Sequence, residues 1–198
     1  MTSTSWRGVS PAQQHLVSIL FSQYSMFYGG IQTLCSATSE FFAYFDPSNA
    51  GTVAQAIDGL IEYINSEGPF DGVMGFSQGA ALAAMLLLQP SASATPLFSF
   101  AVFICAGVPL CEMSARKGVM RLLDPEVDMG RIAIPTAHIV GSKDENIAFS
   151  MTLAELCLEN MRVVYDHGAR HEIPFQPRVT KEMASCIEEV IRKAIFLQ

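Results

Sequence analysis

Apolar positions along the chain follow two alternating patterns. From Thr52 to Asn65 they are Val53, Ala56, Ile57, Leu60, Ile61 and Ile64. That three-to-four spacing predicts a helix with one buried face, and Gly68 is placed to stop it. The next seven residues, Phe70-Asp71-Gly72-Val73-Met74-Gly75-Phe76, form a short apolar run that predicts a strand. Gln78 to Gln89 is rich in alanine and leucine and predicts a helix that Pro90 ends. Further strands are predicted at Phe98–Ala106, Thr136–Val140 and Met161–Tyr165, with a helix over 147–158. The chain closes on a helix whose apolar stripe is Val179, Met183, Ile187, Val190, Ile191 and Ala194.

Strands rich in Val, Ile and Phe without polar alternation are buried on both faces. Helices between such strands imply a parallel sheet covered on both sides, so the predicted fold class is α/β. No internal repeat or linker divides the sequence, and residues 1–198 read as one domain. Residues 107–130 break the pattern by mixing apolar and acidic positions between two strands. An insertion after a strand's C-terminal end overhangs the ligand crevice of such a sheet. It is expected to be either a lid or an irregular crossover.

Composition narrows the class. Half of the 198 residues are hydrophobic and 16% are charged, which excludes a disordered chain. Asp and Glu outnumber Lys and Arg by 19 to 12, giving a net charge of -7 with no basic run. Nucleic-acid binding is not expected, since phosphate neutralisation needs clustered cations. Cys35, Cys105, Cys111, Cys157 and Cys186 are scattered and form no CxxC pair, so neither a disulfide framework nor a zinc site is predicted. Residues 12–21 are too short and interrupted for a signal core. The longest apolar run, Phe98 to Leu110, is too short to span a bilayer. The expected location is cytoplasmic.

Candidate chemistry centres on Gly75-Phe76-Ser77-Gln78-Gly79, between a predicted strand and a predicted helix. This is the G-x-S-x-G nucleophile elbow in its required context, a turn that lifts the serine hydroxyl above the sheet edge. The following helix aims its N-terminus at the site, so the backbone amide of Gln78 is placed to donate to an oxyanion. A neutral serine needs a base, and the base needs an acid to orient it, in the chain order Ser, acid, His. His138, His167 and His171 follow Ser77. His138 lies within a strand and reads as structural. His167 and His171 share the loop after the last strand, and spacing alone does not choose between them. Asp144, in the turn directly after Thr136–Val140, is the leading acid, with Glu145 and Asp166 behind it.

These segments resemble the FSH family of serine hydrolases, small α/β-hydrolases common in fungi. The resemblance is carried by Gly68 to Ala81, by Phe98 to Gly107, by Ile134 to Gly141 with Lys143-Asp144, and by His167-Gly168-Ala169-Arg170-His171-Glu172-Ile173-Pro174. Phe41-Phe42-Ala43-Tyr44-Phe45-Asp46 is similar to an aromatic segment of the family, and the match covers about residues 28–198. The resemblance implies the α/β-hydrolase fold, His171 as base, Asp144 as acid and His138 as structural. No cofactor is expected, and no metal, since no ligand cluster of suitable spacing appears in the sequence. Two departures stand out. The family's glycine pair in the histidine loop is replaced by Ala169-Arg170. Nothing in Met1 to Ser25 matches the family's opening strand and His-Gly loop, which supplies the second oxyanion donor. The chain is therefore expected to lack the usual first strand, with 1–27 atypical.

The family includes esterases and hydrolases that release polyketide chains from a synthase's acyl carrier. The resemblance thus implies an ester or acyl-thioester substrate, with a polyketide synthase as partner. Of Phe27, Tyr28, Phe41, Phe42, Tyr44 and Phe45, most are expected in the core, and any that line the site favour an apolar acyl chain. The competing readings are a catalytically impaired binding module and an acyl-protein thioesterase or carboxylesterase. An exposed edge of a shortened sheet would also invite a homodimer.

Overall fold

The computed structural model describes residues 17–21, 43–89, 96–107 and 109–197. Five strands form one sheet: β1 (Val17–Phe21), β2 (Gly72–Phe76), β3 (Phe100–Ile104), β4 (Thr136–Val140) and β5 (Arg162–Asp166). Sheet order equals chain order and every pairing is parallel, with Val73 opposite Ala101 and His138 opposite Phe103. Helices α1 (Ala50–Glu67), α2 (Gln78–Leu87), α3 (Glu112–Ala115) and α4 (Ile147–Glu155) lie between successive strands, and α5 (Pro177–Phe196) follows β5. Predicted and observed elements agree to within a few residues, and the Gly68 N–H closes α1 on the Ile64 carbonyl.

The α/β expectation thus holds. β3 and β4 are buried at every position, as unalternated apolar runs require. One core layer joins Val53, Ile57 and Leu60 of α1 with Leu82 and Met85 of α2, Phe103 of β3 and Leu153 of α4. The other sets Met183, Cys186, Val190 and Ala194 of α5 against Val102, Ile104, Ala137 and Ile139. Because all strands run one way, the residues that follow β2, β3, β4 and β5 gather at a single sheet edge.

The expectation of a missing first strand is corrected. Val17–Phe21 pairs along the outer edge of β2, from Val17 opposite Gly72 to Phe21 opposite Phe76. A strand is defined by its backbone pairing, and five residues suffice when a neighbour offers an open edge. A search for a His-Gly signature does not detect that. The loop that would follow it, with Phe27, Tyr28, Phe41 and Phe42, lies outside the described residues. So does Cys35. Cys105, Cys111, Cys157 and Cys186 are free thiols. Among the described residues no helix is long and apolar enough to cross a membrane.

The 107–130 insertion is anchored. Leu110 bridges Leu122 antiparallel, α3 packs on α1, and Arg116 hydrogen-bonds Asp58 of α1 at 2.6 Å. Arg121 makes a bidentate pair with Asp128, at 2.8 Å for both contacts.

His138 is structural, as expected. It is 1% exposed, its Nε2 lies 3.1 Å from Thr136 Oγ1, and its Nδ1 has no hydrogen-bond partner. Burial, with the nearby Arg162 charge, pushes its pKa down to about 3. A histidine whose folded pKa is depressed contributes stability above its unfolded value near 6.5, and that contribution is lost as pH falls below it. The loss at pH 5 is roughly 2 kcal/mol. The melting temperature is therefore expected to fall between pH 7 and pH 5, and His138→Phe should flatten that limb in thermal melts. Parallel curves for the two proteins would show that the acid sensitivity lies elsewhere.

Candidate active site

Ser77 ends β2 in a left-handed conformation, φ 53° and ψ −117°, and starts α2. Such a backbone costs on the order of 1–3 kcal/mol and persists only where the surroundings over-determine it. Here the Ser77 N–H donates to the Ile104 carbonyl at 3.0 Å, and the Ser77 carbonyl accepts from Gly107 at 2.8 Å and Ala81 at 3.2 Å. The turn is sharp enough that a Cβ on Gly75 would lie 2.5 Å from the Ala80 nitrogen and 2.6 Å from its Cα. No side chain fits there, which accounts for the first glycine of the pentapeptide.

His171 reaches this serine from the loop between β5 and α5. Its Nε2 lies 2.9 Å from Ser77 Oγ and its Nδ1 lies 2.8 Å from Asp144 Oδ2. The Phe76 ring packs beside the imidazole, with centroids 5.1 Å apart. Asp144 is buried in the turn after β4, and its second carboxylate oxygen, Oδ1, accepts the Asn146 N–H at 2.8 Å. The three residues singled out in the sequence therefore meet, although 94 residues separate Ser77 from His171. Glu145 is surface-exposed, 3.9 Å from Arg170, and takes no part.

His167 and Asp166, the other candidates, hold the loops together. Asp166 Oδ1 accepts the N–H of Ser142 at 2.8 Å and of Gly168 at 2.7 Å, tying the acid turn to the histidine loop. Burial raises its carboxyl pKa, but these backbone donors outweigh that and leave it below the ordinary value. His167 points inward. Its Nδ1 accepts the Ala169 N–H at 3.1 Å, which puts the ring proton on Nε2, 3.5 Å from the Cys105 sulfur. Burial pushes its pKa down in spite of the nearby carboxylates.

The Ala169-Arg170 departure is explained by the same loop. Its left-handed residue is Gly168, φ 72°, and neither Ala169 nor Arg170 has a positive φ. The loop passes so close to the acid turn that a Cβ on Gly141 would lie 2.3 Å from the Ala169 carbonyl oxygen and 2.7 Å from His167 Cε1. Glycine is needed at 141, outside the loop.

Sequence reasoning missed two contributors. Cys105, with φ 42°, is fully buried beneath the site, and burial and the Asp144 charge push its thiol up to about 12. Gln78 uses its side chain as well as its position: Oε1 accepts the Tyr44 N–H and Nε2 donates to the Phe45 carbonyl, both at 2.8 Å. Only the apolar run around Cys105 hinted at its burial, and nothing in the sequence pointed to the Gln78 contacts. Donor atoms of Cys105, Asp144 and His171 lie within 4.8 Å of one another. Two of these three are already hydrogen-bonded to each other, and a thiol held protonated is a poor metal ligand.

A family model described as serine hydrolase (FSH1) matches residues 23–183. The chain belongs to this family. It is 48% identical over 161 residues to esterase FPY3 of Fusarium mangiferae, covering 80% of this chain and 74% of that protein. Hydrolase phiM of Talaromyces stipitatus is 30% identical over 147 residues, 70% of this chain and 57% of its own length. The chain thus spans about three quarters of one relative and little more than half of the other. Esterase B of Lactobacillus rhamnosis, solved with a tributyrin phosphonate inhibitor, shares the fold. Its TM-score is 0.54 at 12% identity, over 95% of this chain and 79% of that one. The protein is a serine hydrolase of α/β-hydrolase fold.

The Gly141 contact makes a prediction for this serine hydrolase. Gly141→Ala should push the histidine loop outward and lower kcat/KM on an activated ester about 10²-fold, the cost of a misplacement near 1 Å. Arg170→Gly should stay within about threefold, since Arg170 adopts an ordinary backbone conformation. Steady-state rates with a melting curve for each variant test both, and equal rates for Gly141→Ala and the wild type would refute the contact's role.

Proposed function

We propose that the protein hydrolyses a carboxylic ester or acyl thioester through Ser77, His171 and Asp144. The observation that carries this reading is the continuous hydrogen-bonded line from Ser77 Oγ through the His171 ring to Asp144 Oδ2. His171 Nε2 takes the Ser77 proton as Oγ bonds to the acyl carbon. It then gives that proton to the departing alcohol or thiol as the ester C–O or thioester C–S bond breaks. Water enters by the reverse sequence, losing a proton to His171 and releasing the acid and free Ser77. Asp144 holds the ring so that Nε2 faces the serine and stabilises the imidazolium that forms. The backbone N–H of Gln78, at the N-terminus of α2, donates to the developing oxyanion.

The substrate class we favour is an apolar acyl group on an alcohol or on a carrier's thiol, such as a polyketide chain awaiting release. The aromatic segment leading to Tyr44 and Phe45 supports it, as does the relatedness to fungal enzymes named esterases and hydrolases. Free cysteines fit a reducing, cytoplasmic setting.

Intact mass after fluorophosphonate treatment tests the nucleophile. One adduct is expected on the wild type and none on Ser77→Ala, whose kcat should fall by about 10⁴-fold or more. A folded wild-type protein without an adduct would refute the mechanism. Matched acyl esters and acyl-pantetheine thioesters then decide the leaving group.

A further inference from the structure

The Gln78 side chain carries an inference beyond its backbone role, and it rests on the hydrolase reading above. Residues 43–46 are neither helix nor strand, yet they are fixed at two points. At one end the Asp46 N–H donates to Thr52 Oγ1 at 2.9 Å, and that hydroxyl lies 3.2 Å from the Asp46 carbonyl oxygen. At the other, the planar amide of Gln78 takes one backbone donor and one backbone acceptor, Tyr44 N–H and Phe45 C=O. A donor and an acceptor held in one rigid group fix both distance and register, so the strip is held in place against the N-terminus of α2. Phe45 anchors the strip in the core at 5% exposure, and Tyr44 is half-buried, its phenol pushed up to about 12 by burial.

The placement gives this clamp a role in catalysis. His171, Asp144 and the ends of β3 to β5 occupy one flank of Ser77. The clamped strip is tied to Gln78, the residue after the nucleophile, and packs in the core layer that holds α1. We propose that Gln78 is a positioning residue whose side chain holds the Tyr44–Phe45 strip as the wall along which the acyl chain lies. The same residue then fixes the oxyanion donor by its backbone and the acyl wall by its side chain, so the two keep a set distance. An acetyl group is too short to reach far along such a wall, whereas a medium-length chain lies against it. The strip therefore contributes to chain-length preference more than to turnover of the smallest esters.

Gln78→Met keeps the length and bulk of the side chain and removes both hydrogen bonds. Gln78→Glu keeps the acceptor for Tyr44 and sets a carboxylate oxygen against the Phe45 carbonyl. Thr52→Val removes the acceptor of the Asp46 N–H and so loosens the other end of the strip, whose Asp46 carbonyl still accepts the Asn49 N–H at 3.0 Å. The readout is the ratio of kcat/KM for octanoyl to acetyl p-nitrophenyl esters, with a melting curve and fluorophosphonate labelling of each variant. Both Gln78 variants should lower that ratio about tenfold, mainly through KM for the octanoyl ester, since wall contacts act as uniform binding. Thr52→Val should lower it in the same direction by a smaller factor and leave acetyl turnover unchanged. A ratio equal to the wild type's in a folded Gln78→Met and in Thr52→Val would overturn the proposal, whatever the change in melting temperature. Loss of labelling in the wild type itself would refute the hydrolase reading instead.

Discussion

The left-handed turn at Ser77 is the constraint on which the rest of the site depends. A non-glycine residue at φ 53° stays there because its N–H and carbonyl are both taken, by Ile104 and by Gly107 with Ala81. The bonds to Ile104 and Gly107 exist only because β3 runs beside β2 in parallel, ending level with it. The sheet's interior, Phe103 and Val102 among its fully buried residues, keeps that register from slipping. Strain at the nucleophile is thus balanced by burial some distance away. The same turn directs the first residue of α2 toward the site, which is why Gln78 can act through backbone and side chain alike.

The three loops at the sheet edge are bound to one another. Asp166 reaches both the acid turn and the histidine loop, and His167 links that loop to Cys105 at the end of β3. Gly141 leaves the space in which the two loops touch. His171 is the outer member of this stack. Its two short hydrogen bonds place the imidazole between a buried carboxylate and a half-exposed hydroxyl, an arrangement suited to moving a proton between serine and leaving group. Burial raises the Cys105 thiol and lowers the His167 imidazole, which favours the neutral form of each.

Much of this was legible in the sequence for physical reasons. Short apolar runs without alternation, rich in β-branched and aromatic residues, read as strands buried on both faces, and the helical stripes of α1 and α5 cover them. The elbow was readable because a strand, a serine between spaced glycines and a helix leave one local geometry open. Asp144 was legible as a polar residue in the turn directly after a buried strand. The alternation that marks β5 was weaker, since it is an edge strand with Val164 exposed, and its predicted bounds fell one residue early.

What the sequence by itself determined was the layering of the fold and the short list of residues able to do the chemistry, because both follow from local periodicity and residue type. Tertiary structure decided which of two histidines four residues apart faces the serine, since that depends on the inward turn of His167 and on the Gly141 contact. It also decided that five residues near the N-terminus form a strand, which only the open edge of β2 could settle. The roles of Gln78 and Asp166 were decided in the same way. Tyr44 and Phe45 for Gln78, and Ser142 for Asp166, lie more than twenty residues distant, and no pattern in neighbouring positions encodes a contact that packing alone brings about.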